Sequence, residues 1–186
     1  MTRYALAVAL LFAATPALAA APAWSVDKAA SSVRFSSSFN GDAFSGAFRR
    51  WDAAIRFDPK QLAASSVTAT LDVASASTGD KDRDQALPSD DFFAVAKFPR
   101  ATFAATSFKD LGGGRYQAIG TLTLRGVAKP LTLPFTLAIT GANARMKASL
   151  AINRLAFGVG QNEWKSVQAI PAAVNVNIDL TAHRTP

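Results

Sequence analysis

Four acidic residues of the chain are spaced in a way that could bind a metal ion. Asp80, Asp82 and Asp84 occupy the first, third and fifth positions of one segment, and Asp91 occupies its twelfth position. This is the ligand spacing of a calcium loop, in which carboxylate oxygens surround the ion. However, Gln85 stands where such a loop needs glycine for a sharp turn, and Pro88 interrupts it. The pattern therefore does not predict a metal site.

Residues for catalysis are few. The chain has no cysteine, and its one histidine, His183, lies near the C-terminus. A thiol nucleophile is therefore impossible, and a Ser-His-acid relay would depend on a terminal residue. Zinc and copper sites lack ligands, and no glycine-rich phosphate loop precedes a helix. Carboxylates from Asp90, Asp91 and Glu163 leave a hydrolytic alternative open, but the residue types favour a protein that is not an enzyme.

Most of the chain alternates apolar and polar residues, as strands with one buried face do. In residues 67–73 the odd positions are apolar and the even ones polar. The segment Thr78–Pro99 does not alternate; it is charged at its start and aromatic at its end, and it predicts one or two short helices. We predict an all-β fold of about eight antiparallel strands, which bury their apolar faces in a sandwich or in a closed barrel.

The N-terminal residues have the features of a secretory signal peptide. Arg3 is followed by an apolar run to Ala14 and by the small-residue motif Ala17-Leu18-Ala19. We expect cleavage after Ala19, so that residues 1–19 are the signal peptide and 20–186 form one domain. The formal net charge is +7, but the basic residues are dispersed. This argues against nucleic-acid binding and allows a transient contact with a membrane surface.

Several short motifs follow one another in a recognisable order. They are Trp24 with Asp27, Ser32, Val33 and Phe35; Phe44–Phe48 through Ile55–Pro59; Arg83-Asp84 with Leu87, Asp91–Phe93 and Phe98-Pro99; Gly120–Pro130; and Arg154, Phe157-Gly158 and Gly160–Trp164. In this order they resemble the YceI-like family of exported bacterial lipid-binding proteins over nearly the whole mature chain. One departure is Ser31, where many members carry histidine.

The resemblance implies an extended, lipocalin-like antiparallel barrel that encloses an isoprenoid chain, such as a polyprenyl lipid or a long-tailed quinone. It also implies a periplasmic protein with no covalent cofactor, present as a monomer or homodimer. An alternative remains open, namely a ligand-free periplasmic interaction module with a packed core, whose late loop around Trp164 binds a partner.

The predicted ligand-binding residues are apolar and, apart from three in loops, face inward by alternation. They are Phe35, Phe39, Phe48, Val67, Leu71, Phe92, Phe93, Phe103, Leu122, Leu124, Leu131, Leu133, Phe135, Trp164, Val176 and Ile178. Polar residues expected to contact a head group or to support the structure are Arg49, Arg50, Arg83, Asp84 and Arg125. The same apolar residues could instead fill a solid core.

Overall fold

The structure is a computed structural model, and it describes residues 20–185. The predicted signal peptide, residues 1–19, lies outside the described residues. None of the helices within residues 20–185 has the length and apolarity that a bilayer crossing requires.

Strands dominate the described chain. They are β1 (Ala23–Val26), β2 (Ser32–Phe39), β3 (Asp42–Phe48), β4 (Trp51–Arg56), β5 (Ser66–Asp72), β6 (Ala76–Ser77), β7 (Arg100–Gly112), β8 (Arg115–Leu124), β9 (Val127–Thr140), β10 (Asn143–Asn153) and β11 (Ala173–Arg184). One α-helix, α1, spans Lys81–Ala86, and short 3-10 turns span Leu62–Ala64, Val73–Ser75, Arg154–Phe157 and Asn162–Lys165.

The strands form one closed antiparallel barrel. The pairing runs β1-β4-β5-β7-β8-β9-β10-β11, and β11 returns to β1 with Trp24 opposite Arg184. These eight strands close the ring, as predicted. Closure pairs each of the eight strands with two neighbours, and it gives every strand an inner and an outer face.

Three neighbouring positions of the ring are occupied by interrupted strands. β1 and β2 lie one after the other along the same edge of β11, since Val26 faces Ala182 and Val33 faces Ile178. β3 and β4 pair in turn with β2 and β1, and β6 continues β5 alongside β3. On this side of the barrel, each ring position is therefore longer than either of the two short strands that occupy it.

A tight hairpin turn and a proline within a strand have clear local causes. Asn40 and Gly41 both adopt positive φ, at 50° and 91°, as the tight hairpin between β2 and β3 requires. Pro134 pairs with Gln117 of β8, but the ladder between β9 and β10 ends at Phe135. A residue without an N–H group is tolerated there because no strand on that side needs its donor.

The non-alternating segment crosses one end of the barrel. Asp80 caps α1, its carboxylate accepting from Arg83 N at 2.9 Å, and Arg83 forms its ion pair with Asp80 at 3.4 Å. The Asp84 carboxylate instead accepts from Thr78 N at 2.6 Å and from the hydroxyls of Thr78 and Ser77, each at 2.8 Å. Burial raises the pKa of Asp84, but these hydrogen bonds outweigh it and the pKa lies below its ordinary value.

The aromatic end of this segment packs into the barrel. Phe93 is buried with Val73, Ala101 and Phe157, while Phe92 lies half-buried beside them. The capped, charged helix α1 is thus followed by the apolar residues Phe92 and Phe93, and together they cover one end of the barrel.

Candidate ligand-binding cavity

The interior of the barrel is a cavity of about 750 Å³. Its wall is almost wholly apolar, because the inward positions of all eight ring strands carry aliphatic or aromatic residues. All of the predicted apolar residues line it: Phe35, Phe39, Phe48, Val67, Leu71, Phe92, Phe93, Phe103, Leu122, Leu124, Leu131, Leu133, Phe135, Trp164, Val176 and Ile178.

The exposure of these side chains shows that the interior is hollow. Of the sixteen, Phe35, Phe93, Phe103 and Leu133 are buried, and the other twelve are half-buried. Inward residues of a solid core would lose nearly all their accessible surface, since protein interiors are close-packed. The remaining surface borders the cavity. The packed core of the alternative interpretation is therefore not what the geometry shows.

An aromatic cluster fills one end of the barrel. Phe57 makes edge-on contacts with Phe108 and Tyr116, with ring centroids 5.3 and 5.5 Å apart, and Tyr116 stacks on Phe135 at 5.5 Å. The Trp24 indole packs in the same cluster and donates from Nε1 to the Phe57 carbonyl oxygen at 2.9 Å. This end is closed by large rings whose geometry is favourable.

Phe108 is a lining residue that the alternation pattern missed. Phe103 lines the cavity and Ala105 is buried beside it on β7, and a register irregularity follows between Ala105 and Ser107. A bulge of this kind inserts one residue and changes which side chains face inward. Phe108 consequently faces the cavity although its even number placed it outside, and nothing in the local composition marks the bulge.

The other end of the cavity is covered by two loops. Trp164 of the late loop, residues 158–171, lies with its ring centroid 5.5 Å from Phe92 and 6.2 Å from Phe39. Gly160 N and Gln161 N both donate to the Asp91 carbonyl oxygen at 2.8 Å, which ties this loop to the crossover segment. Trp164 therefore faces the cavity, where the interaction-module hypothesis would need it to face a partner.

Arg154 anchors the late loop from inside the barrel wall. Its guanidinium is buried and donates to four backbone carbonyl oxygens: Pro171 at 3.0 Å, Val159 at 2.9 Å, Ile170 at 2.8 Å and Ser166 at 3.3 Å. Burial lowers its pKa. Arg154 belongs to the motifs that resemble the family, but its anchoring role was not predicted, because four backbone acceptors in a loop leave no pattern of side chains in the sequence.

The predicted polar residues divide between the cavity and the outside of the barrel. Arg83 lines the cavity with its guanidinium 4.7 Å from the centre of the Phe44 ring, beside Thr78, Asp80 and Asp82. Asp84 does not line the cavity, and its carboxylate instead holds Thr78 at the start of the crossover segment. Neither do Arg49, Arg50 and Arg125: Arg50 pairs with Asp72 at 2.8 Å, and Arg125 donates to the Asp90 carbonyl oxygen at 2.6 Å.

Comparison with known proteins assigns the fold to a family. The model of the YceI-like domain matches residues 24–182, which is nearly the whole described chain. The chain belongs to the YceI-like family. The motifs that resembled this family in the sequence thus lie within one matched region.

A curated relative and a solved structure are similar to this YceI-like chain. A UPF0312 protein of Yersinia pestis is 44% identical over 88 residues, which are 47% of this chain and 45% of that protein, so the match spans less than half the relative's length. The structure of BcnA from Burkholderia cenocepacia is similar, with 35% identity, a TM-score of 0.81, and coverage of 84% of this chain and 99% of BcnA.

A third comparison adds a more distant neighbour. A domain from Saccharophagus degradans, described as a polyisoprenoid binding domain, has a TM-score of 0.70 at 19% identity and covers 88% of this chain and 99% of that domain. At this identity the similarity shows the shared fold. The barrel of the YceI-like chain is therefore lipocalin-like, as the resemblance implied.

Proposed function

We propose that this YceI-like protein is a periplasmic carrier that holds one isoprenoid lipid, either a polyprenyl lipid or a long-tailed quinone, inside its barrel. It binds without catalysing a reaction, as a monomer or homodimer, and it contacts the membrane surface transiently when it exchanges its ligand. The predicted signal peptide supports the location, and the dispersed excess of basic residues supports the membrane contact.

The observation that carries the proposal is the apolar cavity of about 750 Å³ that runs between the two ends of the barrel. Such a wall offers few hydrogen bonds, so it selects a ligand by shape and apolarity. Each buried methylene contributes about 0.8 kcal/mol, and a chain of several isoprene units therefore gains substantial affinity without polar contacts. The description of the Saccharophagus neighbour as a polyisoprenoid binding domain supports the same class of ligand.

Two of the three carboxylates named for the hydrolytic alternative are held by other side chains. Asp90 forms an ion pair with Lys97 at 2.9 Å. Asp91 accepts from the Asn162 side-chain amide at 2.7 Å. These arrangements support a binding role over the hydrolytic alternative.

Uptake of a defined lipid tests the proposal. The delipidated protein is titrated with octaprenol while the intrinsic tryptophan fluorescence is followed, since Trp24, Trp51 and Trp164 all line the cavity. We expect saturable binding of one octaprenol per barrel, with little affinity for a short alcohol such as geraniol. Absence of saturable uptake of octaprenol and of a long-tailed quinone would contradict the carrier function.

A further inference from the structure

The barrel wall separates between two neighbouring ring positions. The ladder between β2 and β3 begins at the pair Arg34 and Ala47, and the ladder between β1 and β4 ends at the pair Trp24 and Ile55. Between these pairs no ladder joins the two positions within residues 20–185. We call this stretch, residues 25–33 against residues 48–54, the seam.

A lysine side chain bridges the seam. Lys28 Nζ donates to the Trp51 carbonyl oxygen at 2.7 Å and to the Asp52 carboxylate at 2.9 Å. The same ammonium lies 3.8 Å from the centre of the Trp51 ring. Because one side chain replaces the backbone hydrogen bonds found elsewhere in the wall, the seam can open at lower cost than an intact ladder.

The outside of the seam is a basic groove of about 440 Å³. All the charged residues that line it are cations, namely Lys28, Arg34, Arg49 and Arg50. Lys28 and Arg50 are paired with Asp52 and Asp72, which do not belong to the lining. Arg34 and Arg49 form no ion pair within the described part of the chain. Guanidinium groups of this kind match the geometry of phosphate oxygens.

The groove and the cavity share three lining residues. Val33, Phe48 and Trp51 line both, so the basic groove adjoins the apolar interior at these residues. By contrast, the polar corner within the cavity contains the carboxylates of Asp80 and Asp82 beside Arg83, which is already paired with Asp80. The other cation of the cavity lining, Arg154, already donates to four backbone carbonyl oxygens. An anionic head group is repelled at that corner and attracted at the seam.

We propose that the seam groove binds the phosphate of a phosphorylated isoprenoid whose tail occupies the cavity. This inference rests on the proposed carrier function. The tail passes between Phe48 and Trp51, and the phosphate lies between the guanidinium groups of Arg34 and Arg49. Lys28, which bridges the closed seam, adds a third cation next to the phosphate when the seam is occupied.

Matched ligands with and without phosphate test the assignment. Geranylgeraniol and geranylgeranyl phosphate are titrated into the full mature protein below their micelle-forming concentrations. We expect the phosphate to bind about ten-fold more tightly than the alcohol, the factor given by one charge-assisted contact. The double variant Arg34→Gln/Arg49→Gln is expected to lose this preference, with its affinity for the alcohol unchanged within about two-fold.

A charge-matched control removes two exposed cations elsewhere. Lys109→Gln/Lys129→Gln alters β7 and β9, which are distant from the seam in the strand order. It is expected to keep the preference for the phosphate. Loss of the preference in this control, or its survival in the Arg34→Gln/Arg49→Gln variant, would show that only net charge or another site matters and would overturn the assignment.

Two further results also decide the question. If the alcohol binds and the phosphate binds no more tightly, the seam assignment fails while the carrier function stands; if neither binds, both fail. Flotation with vesicles of anionic phospholipid identifies the other source of phosphate. Binding to vesicles that depends on Arg34 and Arg49, without any preference for geranylgeranyl phosphate over the alcohol, would assign the groove to the membrane surface and overturn the proposal.

Discussion

Replacing Ala69 by tryptophan should block the cavity without unfolding the barrel. Ala69 lies on the inner face of β5, between Ala53 of β4 and Phe103 of β7, and its half-buried methyl group borders the cavity. An indole at this position projects into space that the ligand would otherwise occupy. The substitution therefore distinguishes a hollow interior from a filled one.

The expected loss of affinity follows from the carbon atoms that the indole displaces. If it displaces one five-carbon isoprene unit, the loss is about 4 kcal/mol at about 0.8 kcal/mol for each buried carbon, or roughly a thousand-fold in Kd. Stability should change by less than about 1 kcal/mol, because overpacking costs arise only where no space exists. In a solid core the same substitution would cost about 1–3 kcal/mol or more.

Octaprenol titration and urea denaturation measure the two effects. The matched control is Thr68→Trp, because Thr68 is the exposed neighbour on the outer face of the same strand. We expect this control to bind octaprenol as the wild-type protein does. An Ala69→Trp variant that binds octaprenol with unchanged affinity, or that unfolds while Thr68→Trp is stable, would refute the reasoning.

Three further substitutions test how the two covering loops are held. Arg154→Met should lower the free energy of unfolding by about 3–4 kcal/mol, since four hydrogen bonds of about 1 kcal/mol each are lost. Urea denaturation measures this loss. A loss below about 1 kcal/mol would show that the four carbonyl oxygens find other donors. Asp84→Asn should destabilise the protein by about 1–3 kcal/mol at neutral pH. The pKa of Asp84 is depressed in the fold, so its contribution to the free energy of unfolding is present above the ordinary pKa of 3.8 and is lost as the pH falls through the depressed value. The stabilities of wild type and variant should therefore converge in acid. A constant difference in stability across that pH range would show that the Asp84 charge is not the cause. Trp164→Ala removes the ring that packs on Phe92. It should raise the dissociation rate of octaprenol, measured by stopped-flow displacement, about ten-fold, because one aromatic contact contributes about 1–1.5 kcal/mol. An unchanged rate would mean that the late loop does not cover the exit of the cavity.

Alternation alone located most of the cavity wall. Residues such as Val67 and Leu71 were predicted to face inward because a strand turns successive side chains to opposite faces, and the structure places both on the lining. The loss of alternation over Thr78–Pro99 likewise predicted the crossover with its short helix. These features are local, so a single sequence contains the information that determines them.

Features that depend on distant partners were not predictable in this way. A hollow barrel and a packed barrel share the same alternation, and only the closed geometry shows that inward residues such as Phe48 keep accessible surface. The buried Arg154 depends on carbonyl oxygens up to 17 residues away. The seam arises where β1 and β2, and β3 and β4, are interrupted side by side, and this alignment exists only after the ring has closed.

The lipid content of the protein taken from its own cells tests the carrier function most directly. The protein is released gently, purified without detergent and extracted with organic solvent, and the extract is quantified by mass spectrometry against the protein. We predict an isoprenoid lipid close to one molecule per barrel in the wild type, and a strongly reduced ratio in Ala69→Trp purified in parallel. Repeated absence of a stoichiometric lipid from the wild type, or an equal ratio in both proteins, would contradict the account.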